Sequence, residues 1–376
     1  MNALSIAFAD FGSLPYDVET PLARPIAGSE SALCYLAVEL ARRGHRVVIL
    51  NNAPAHRIVS GVEMLPRKSI PDDYLRQTGF DALVVLNGPA EACVLRDELP
   101  SRTVLAMWTG HDCDIAAIAD LARPEICRGW QKIVCVSEWH RRRYLDVFRA
   151  DPKQVEVRRN AIGPRFESLF ADAADLRRRK LRPWRLAYTS TPFRGLDVLL
   201  DVFPQLSGDC GLAIYSSMRI YGLEREDARF AALYDQARQT PRVSYVGSVP
   251  QPELARVLTE VSILSYPNTY PETSCIAVME ALAAGALVVT SDLGALPETT
   301  MGLAELVPNH QAVGLQEFRR RYLLRLQSAL DAIDADPQHA AERSYAQTQT
   351  MNAGHTWRVR AAEWEAMIAA WRAGRS

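Results

Sequence analysis

The chain is 376 residues long, 48% hydrophobic and 23% charged, with a formal net charge of −1 at pH 7. That length gives room for two domains with sizeable cores, and so balanced a charge excludes the basic field that holds nucleic acid. The seven cysteines are scattered without a C-x-x-C pair, which argues against a zinc site or a disulfide framework and for a reducing cytoplasm.

The first residues, MNALSIAFADFG, enter a strand over Leu4 to Ala9 with no basic leader, and no apolar run reaches the ~18 residues of a membrane span. The expectation is a soluble cytoplasmic protein. A loop then ends in Ala27-Gly28-Ser29-Glu30 and a helix, SALCYLAVELARRGH, with Ser29 as expected N-cap and Gly44 as terminator before the strand RVVIL. Strand, glycine loop, helix and strand open a doubly wound sheet, though no G-x-G-x-x-G is present.

Further strands are expected at Ala82 to Leu86, Thr103 to Trp108 and Lys132 to Ser137. The strand ending at Trp108 opens into Thr109-Gly110-His111-Asp112. A histidine just past a strand's carboxyl end sits where open α/β sheets bind ligands. In VCVSEWHRRRYLDVF, Ser137 reads as an N-cap and His140 as facing solvent. The basic clusters Arg141-Arg142-Arg143 and Arg177-Arg178-Arg179-Lys180 read as solvated helix faces, with a patch touching an anionic membrane as the alternative.

The stretch 167–183 is basic, helical and ends in Pro183, as an interdomain linker would. A second α/β repeat follows: strand WRLAYT, the loop Ser190 to Arg194, and helix GLDVLLDVFPQL. Arg219 lies in the loop after strand GLAIY. After Leu306 the chain reads as helical to its end, closing with HTWRVRAAEWEAMIAAWR, whose tryptophans at helical spacing read as packing.

The stretch Pro267 to Glu298 is the most informative. Its apolar helix CIAVMEALAAG carries one charge, Glu280, and a lone carboxylate in a buried helix must be paired or protonated. An Arg partner or a cap to a neighbouring helix would account for it by itself. Glu272 stands eight residues earlier, roughly 12 Å away if both ride one helix. That is too far for an acid/base dyad but suits one extended ligand held at both ends. Between them the N–H groups near Ser274, Cys275 and Ile276 form a ready anion site. Carboxylate, anion cradle and carboxylate suggest the sugar hydroxyls, phosphates and ribose of a nucleotide sugar.

Here the chain resembles the retaining glycosyltransferases of family 4, which have the GT-B fold. Their E-x7-E motif is matched by Glu272 through Glu280, followed by EALAAGALVVTSDLGALPE. The resemblance implies two Rossmann-like domains facing across a cleft: residues 1–166 on the acceptor side, completed by a helix at 355–376, and residues 184–354 binding the nucleotide sugar. It implies that Glu280 binds the donor ribose, that Glu272 faces the hexose, and that His111 lies near the donor sugar. Gly28 and Glu30 fall where the family has a G-G-x-E loop over the donor phosphates and acceptor. Arg194-Gly195 matches the K-G element whose cation binds the diphosphate. The family's other cation is replaced by Thr189 and Ser190, whose hydroxyls could bond a phosphate, and Arg219 is a candidate substitute.

The expected activity is transfer of a hexose from a UDP- or GDP-sugar to a glycan, lipid-linked or small-molecule acceptor, with retention. The rivals are a non-catalytic nucleotide-sugar-binding subunit and a GT-B epimerase or hydrolase. No cofactor or metal is expected. Asp112-Cys113-Asp114 fits the D-x-D pattern of metal-dependent transferases literally, but it is far in sequence from Arg194 and Glu272, which already supply an anion site.

Overall fold

A computed structural model describes residues 3–71, 73–88 and 92–374. The chain divides into two compact units: Met1–Pro21, Gly28–Asn160 and Trp357–Ser376 form the first, and Leu22–Ala27 with Ala161–Thr356 the second.

Among the described residues, the first unit is built on an eight-stranded sheet. Its strands are β1 (Ser5–Asp10), β2 (Arg46–Asn51), β3 (Arg57–Val59), β4 (Val62–Pro66), β5 (Ala82–Leu86), β6 (Val104–Trp108), β7 (Lys132–Cys135) and β8 (Val155–Val157). They are ordered β3-β4-β2-β1-β5-β6-β7-β8, and all pairs are parallel except β3 with β4. Strands β5 and β6 are buried at every residue, as parallel strands covered on both faces must be. One face is covered by the Trp357–Ala373 helix, whose Trp364 packs on Phe8 and Trp108. Arg43 fastens that helix by donating to Glu365 at 2.6 Å.

The second unit is built on six parallel strands: β9 (Trp184–Tyr188), β10 (Cys210–Ile214), β11 (Val243–Tyr245), β12 (Ile263–Tyr266), β13 (Leu287–Ser291) and β14 (Glu305–Val307). Their order, β11-β10-β9-β12-β13-β14, is the doubly wound arrangement in which the chain starts centrally, runs to one edge, then returns to build the other half. The reversal falls between β9 and β12.

Four expectations are corrected. The Gly28–Arg42 helix starts one residue before Ser29, so Ser29 is in its first turn and is not its cap. The 167–183 segment is not a free linker: its Ala173–Arg179 helix packs Leu176 with Phe170 and Ala341 inside the second unit. Lys180 is no solvated charge. It is 7% exposed, its ammonium donates to the carbonyls of Leu258 and Val261 just past a helix end, and burial lowers its pKa to about 7. The other basic cluster is likewise only partly solvated, since Arg141 donates to the Val155 carbonyl and Arg143 pairs with Asp112. Among the described residues no helix is long and apolar enough to cross a membrane.

Candidate functional site

The loops after β9, β10, β12 and β13 all leave the carboxyl end of the second sheet. At the switch point between β9 and β12 they bring Arg194 and Glu272 together. Arg194 Nη1 donates to Glu272 Oε1 at 2.8 Å, and Tyr266 Oη donates to the same oxygen at 2.5 Å. Burial acts to lower the Arg194 pKa, but the adjacent Glu272 carboxylate more than reverses this and the net direction is up. The pair is asymmetric in access: the Arg194 side chain is 20% exposed and that of Glu272 is 5%. A ligand can therefore reach the cation, whose Nε is buried without a partner among the described residues. The guanidinium lies 4.7 Å from the centroid of the Tyr270 ring, a cation–π contact.

Two glycines make this approach possible. Gly195 has φ +100, and a Cβ there would stand 2.0 Å from the Pro267 carbonyl oxygen. Gly294 has φ +68, and its Cβ would stand 2.5 Å from the Glu272 carbonyl oxygen. That same carbonyl accepts from Ala295 N at 2.7 Å, fixing the Glu272 backbone against the loop after β13. Gly294→Ala is accordingly expected to displace Glu272. The melting midpoint drops by several degrees, as checked by thermal denaturation.

Glu272 and Glu280 do not share a helix, contrary to the sequence expectation. The helix runs Ile276–Ala283, so Glu272 lies in the preceding loop and the 12 Å separation derived from helical rise does not apply. Ser274, Cys275 and Ile276 form the entry to that helix, with Cys275 at the N-cap in extended conformation. Helix entries leave unpaired N–H groups that favour anions. Glu280 is 3% exposed. Among the described residues it has no cationic partner: Gly163 N donates to it at 3.3 Å and Gln251 Nε2 at 3.5 Å. Burial raises its pKa to about 8, the two hydrogen bonds only partly opposing this.

Around the pair, Ser190 Oγ donates to Tyr266 Oη at 3.4 Å. The hydroxyls of Thr189 and Thr191 are buried with no partner among the described residues. Thr189 and Ser190 are the residues standing where the family has its other cation. Arg219 is exposed and lies 3.7 Å from Glu224, so it does not join the Arg194–Glu272 cluster. Tyr266, Tyr270 and Gln251 were not singled out from sequence. Gly294 was legible as the end of the 291–294 loop that follows the apolar strand ALVVT, where open α/β sheets bind ligands.

The first unit carries its own group of candidates. Gly28 opens its helix, and the loop after β6 lies against that helix entry, since a Cβ on Gly110 would stand 3.3 Å from Ser29 Oγ. The Glu30 carboxyl is pushed up to about 7 by burial and by the Asp10 charge, with Oε2 buried and unpartnered among the described residues. His111 is half-buried, its Nδ1 lacks a partner among the described residues, and burial lowers its pKa. His140 does not face solvent. It is 0% exposed, donates from Nε2 to the His111 carbonyl at 2.7 Å, and is held neutral by burial, with its pKa lowered to about 4. Its role is to brace the His111 loop. Ser137 is the N-cap of the Glu138–Phe148 helix, accepting from His140 N at 3.0 Å. Asp112 is buried and paired with Arg143 at 3.1 Å, whereas Asp114 is exposed. Among the described residues no group of three or more His, Cys, Asp or Glu side chains is placed to hold a metal ion.

Residues 185–318 match the family model described as glycosyl transferases group 1. That segment contains Arg194, Arg219, Glu272 and Glu280. No curated protein matches the chain. Among solved structures it is similar to a glycosyltransferase from Rickettsia africae, at 11% identity over 97% of this chain and 98% of that one, TM-score 0.69. It is similar to HepE of Anabaena in complex with UDP and glucose, at 14% identity over 98% and 100%, TM-score 0.68. It is also similar to a sucrose-phosphate synthase of Thermosynechococcus elongatus, at 17% identity over 98% and 100%, TM-score 0.67. At these identities the likeness is one of fold: the chain has the GT-B fold, with the group 1 glycosyl transferase signature in its second unit.

Proposed function

We propose that the chain transfers a hexose from a nucleotide-diphosphate sugar to a glycan, lipid-linked or small-molecule acceptor, with retention. The observation that supports this most is the Arg194–Glu272 pair at the switch point of the second sheet, inside the segment that matches group 1 glycosyl transferases. HepE, crystallised with UDP and glucose, favours a UDP-sugar among the donors.

In this reading the donor diphosphate lies against Arg194, the N–H groups near Ser274, Cys275 and Ile276, and the hydroxyls of Thr189 and Ser190. Glu280 takes the ribose hydroxyls. Glu272, held by Arg194 and Tyr266, faces the hexose. The bond from the anomeric carbon to the phosphate oxygen breaks as the acceptor oxygen bonds to that carbon. The electron pair goes to the diphosphate, where Arg194 and the helix entry stabilise the charge, and a diphosphate oxygen takes the acceptor proton. The first unit is the acceptor side, with Gly28 and Glu30 in the loop over the donor phosphates and acceptor and His111 near the donor sugar.

The test is nucleotide release from UDP- and GDP-sugars with and without acceptor extracts. Release that needs acceptor supports transfer, release without acceptor supports hydrolysis, and binding with no release supports the binding-subunit reading. That last alternative draws on Arg194, whose charge is already balanced by Glu272.

The reaction is expected to need no metal. Asp112 is engaged by Arg143 and by the Cys113 N–H at 2.7 Å, so the D-x-D pair does not present two open carboxylates. Full activity is expected after exhaustive EDTA treatment, with less than a twofold change in Asp114→Asn. Loss on chelation with recovery on adding Mg²⁺ or Mn²⁺ would overturn the site assignment.

A further inference from the structure

The sheet of the first unit has its own switch point, between β1 and β5, where the strand order reverses. A cavity of about 310 Å³ lies there. Its floor is made by Ala9, Leu50 and Leu83, from β1, β2 and β5, all buried. Ala9 pairs directly with Leu50 across β1 and β2, and its single methyl leaves the space that a larger residue would fill. Parallel sheets normally have both faces covered. Among the described residues, the cover over these strands comes from Ile70, Leu75 and Leu95, and it leaves the gap open.

The charged residues around the cavity are of a different kind from its floor. Arg67 lies 4.9 Å from the centroid of the Phe11 ring, and Lys68 next to it is exposed. Glu98 also borders the cavity and is half-buried. No ion pair among the described residues neutralises Arg67 or Lys68. The cavity therefore has an apolar interior, with Arg67, Lys68 and Glu98 as the charged residues on its border. A dry engineered cavity of about 150 Å³ admits one benzene ring. Twice that volume suits a two-ring or roughly ten-carbon body, at the lower end of small-molecule pockets.

We propose that this cavity binds a small anionic amphiphile. Its apolar body lies over Ala9, Leu50 and Leu83, its phosphate or carboxylate meets Arg67 and Lys68, and a hydroxyl on it donates to Glu98. The cavity lies on the face of the sheet beside the switch point, with Ala9 and Leu50 near the carboxyl ends of β1 and β2 and Leu83 toward the start of β5, and open α/β sheets take ligands near such a switch point. Resting on the glycosyl-transfer reading, this ligand is the acceptor or its non-sugar part.

The probe is 1-naphthyl phosphate, titrated calorimetrically into the full chain without any nucleotide sugar, beside 1-naphthol, inorganic phosphate and vesicles of anionic lipid. Naphthyl phosphate is expected to bind at least tenfold more tightly than naphthol or phosphate. Ala9→Leu fills the cavity: binding falls at least tenfold while the melting midpoint holds or rises. Arg67→Ala and Lys68→Ala each weaken naphthyl phosphate about five- to tenfold and leave naphthol unchanged.

Equal affinity for naphthol, equal affinity for inorganic phosphate, or unimpaired binding by Ala9→Leu would each overturn the proposal. So would a lowered melting midpoint in Ala9→Leu, which would mean that no space exists to fill, or binding to vesicles alone. UDP titrated into the same proteins separates the two readings. Retained UDP binding with no naphthyl phosphate binding sinks only the cavity, whereas absent UDP binding in the unmodified chain counts against glycosyl transfer.

Discussion

Arg194→Ala is expected to lower kcat/KM for donor turnover by about two to three orders of magnitude, the scale of losing one charge partner of a transition state. The argument is electrostatic and local. In the second unit, Arg194 is the cation that reaches the carboxyl ends of β9 and β12, and the residues flanking it offer hydroxyls in place of a second cation. The substitution also leaves the Glu272 carboxylate, 5% exposed, without its counter-charge. Removing one partner of a buried pair costs about 3–5 kcal/mol when the pair is fully enclosed, and less here because Arg194 keeps some access to solvent. Two variants separate the effects. Arg194→Lys keeps the charge but loses the planar fork, so stability recovers more than turnover does. Arg194→Ala combined with Glu272→Gln removes the orphaned charge, so stability returns while turnover stays low. A loss below tenfold in kcat/KM would transfer the diphosphate to the helix entry or to another cation.

The strands were legible because both faces of each parallel sheet are covered. Runs such as ALVVL and VLAMW must then be apolar throughout, and they stand out from alternating or helical patterns. Strand order follows from the alternation of strand and helix, so the switch point could be anticipated, and with it the loops that carry Arg194 and Glu272. Their mutual contact could not. The two residues are 78 positions apart, and no local pattern says that a cation expected on one ligand group and a carboxylate expected on another will meet. Gly294 is required for the same reason, by a backbone 22 positions away that comes within 2.5 Å of where its side chain would be.

His140 and Lys180 misled in the same way. A polar residue in a sequence reads as solvated by default, yet each finds carbonyl acceptors that only the tertiary fold supplies: the His111 carbonyl for His140, and the Leu258 and Val261 carbonyls for Lys180. Ser29 was misread by a single position, since a serine before an apolar helical run and a serine one step inside it look alike. Glu280 is the opposite case. Its anomaly was visible as one charge in an apolar helix, and the fold resolves it by protonation, not by a counter-ion.

Glu280→Gln is expected to weaken binding of a UDP-sugar by about ten- to a hundredfold at pH 8.5 and to have little effect at pH 6. With its pKa raised to about 8 by burial, Glu280 is mostly protonated at neutral pH, whereas a carboxylate accepting two ribose hydroxyls is ionised. Binding must then release a proton. Affinity rises with pH, by at most tenfold per unit, until Glu280 is ionised in the free protein near pH 8, and is level above that. In Glu280→Gln the slope vanishes. The same shift fixes the sign for stability. The folded state holds a proton that the unfolded chain, titrating at the ordinary 4.5, gives up. This contribution is complete below pH 4.5, declines as pH rises, and is lost by about pH 8. Glu280→Gln, nearly the same shape and neutral throughout, therefore matches the unmodified chain at pH 4 and is the more stable protein at pH 8.5, by about 4–5 kcal/mol. Calorimetric titration at four pH values and denaturant unfolding at the two extremes are sufficient. If affinity is flat with pH and unchanged in Glu280→Gln, the ribose is held elsewhere. A stability gain at high pH that survives alongside such flat binding would leave Glu280 as a buried acid of the fold and nothing more.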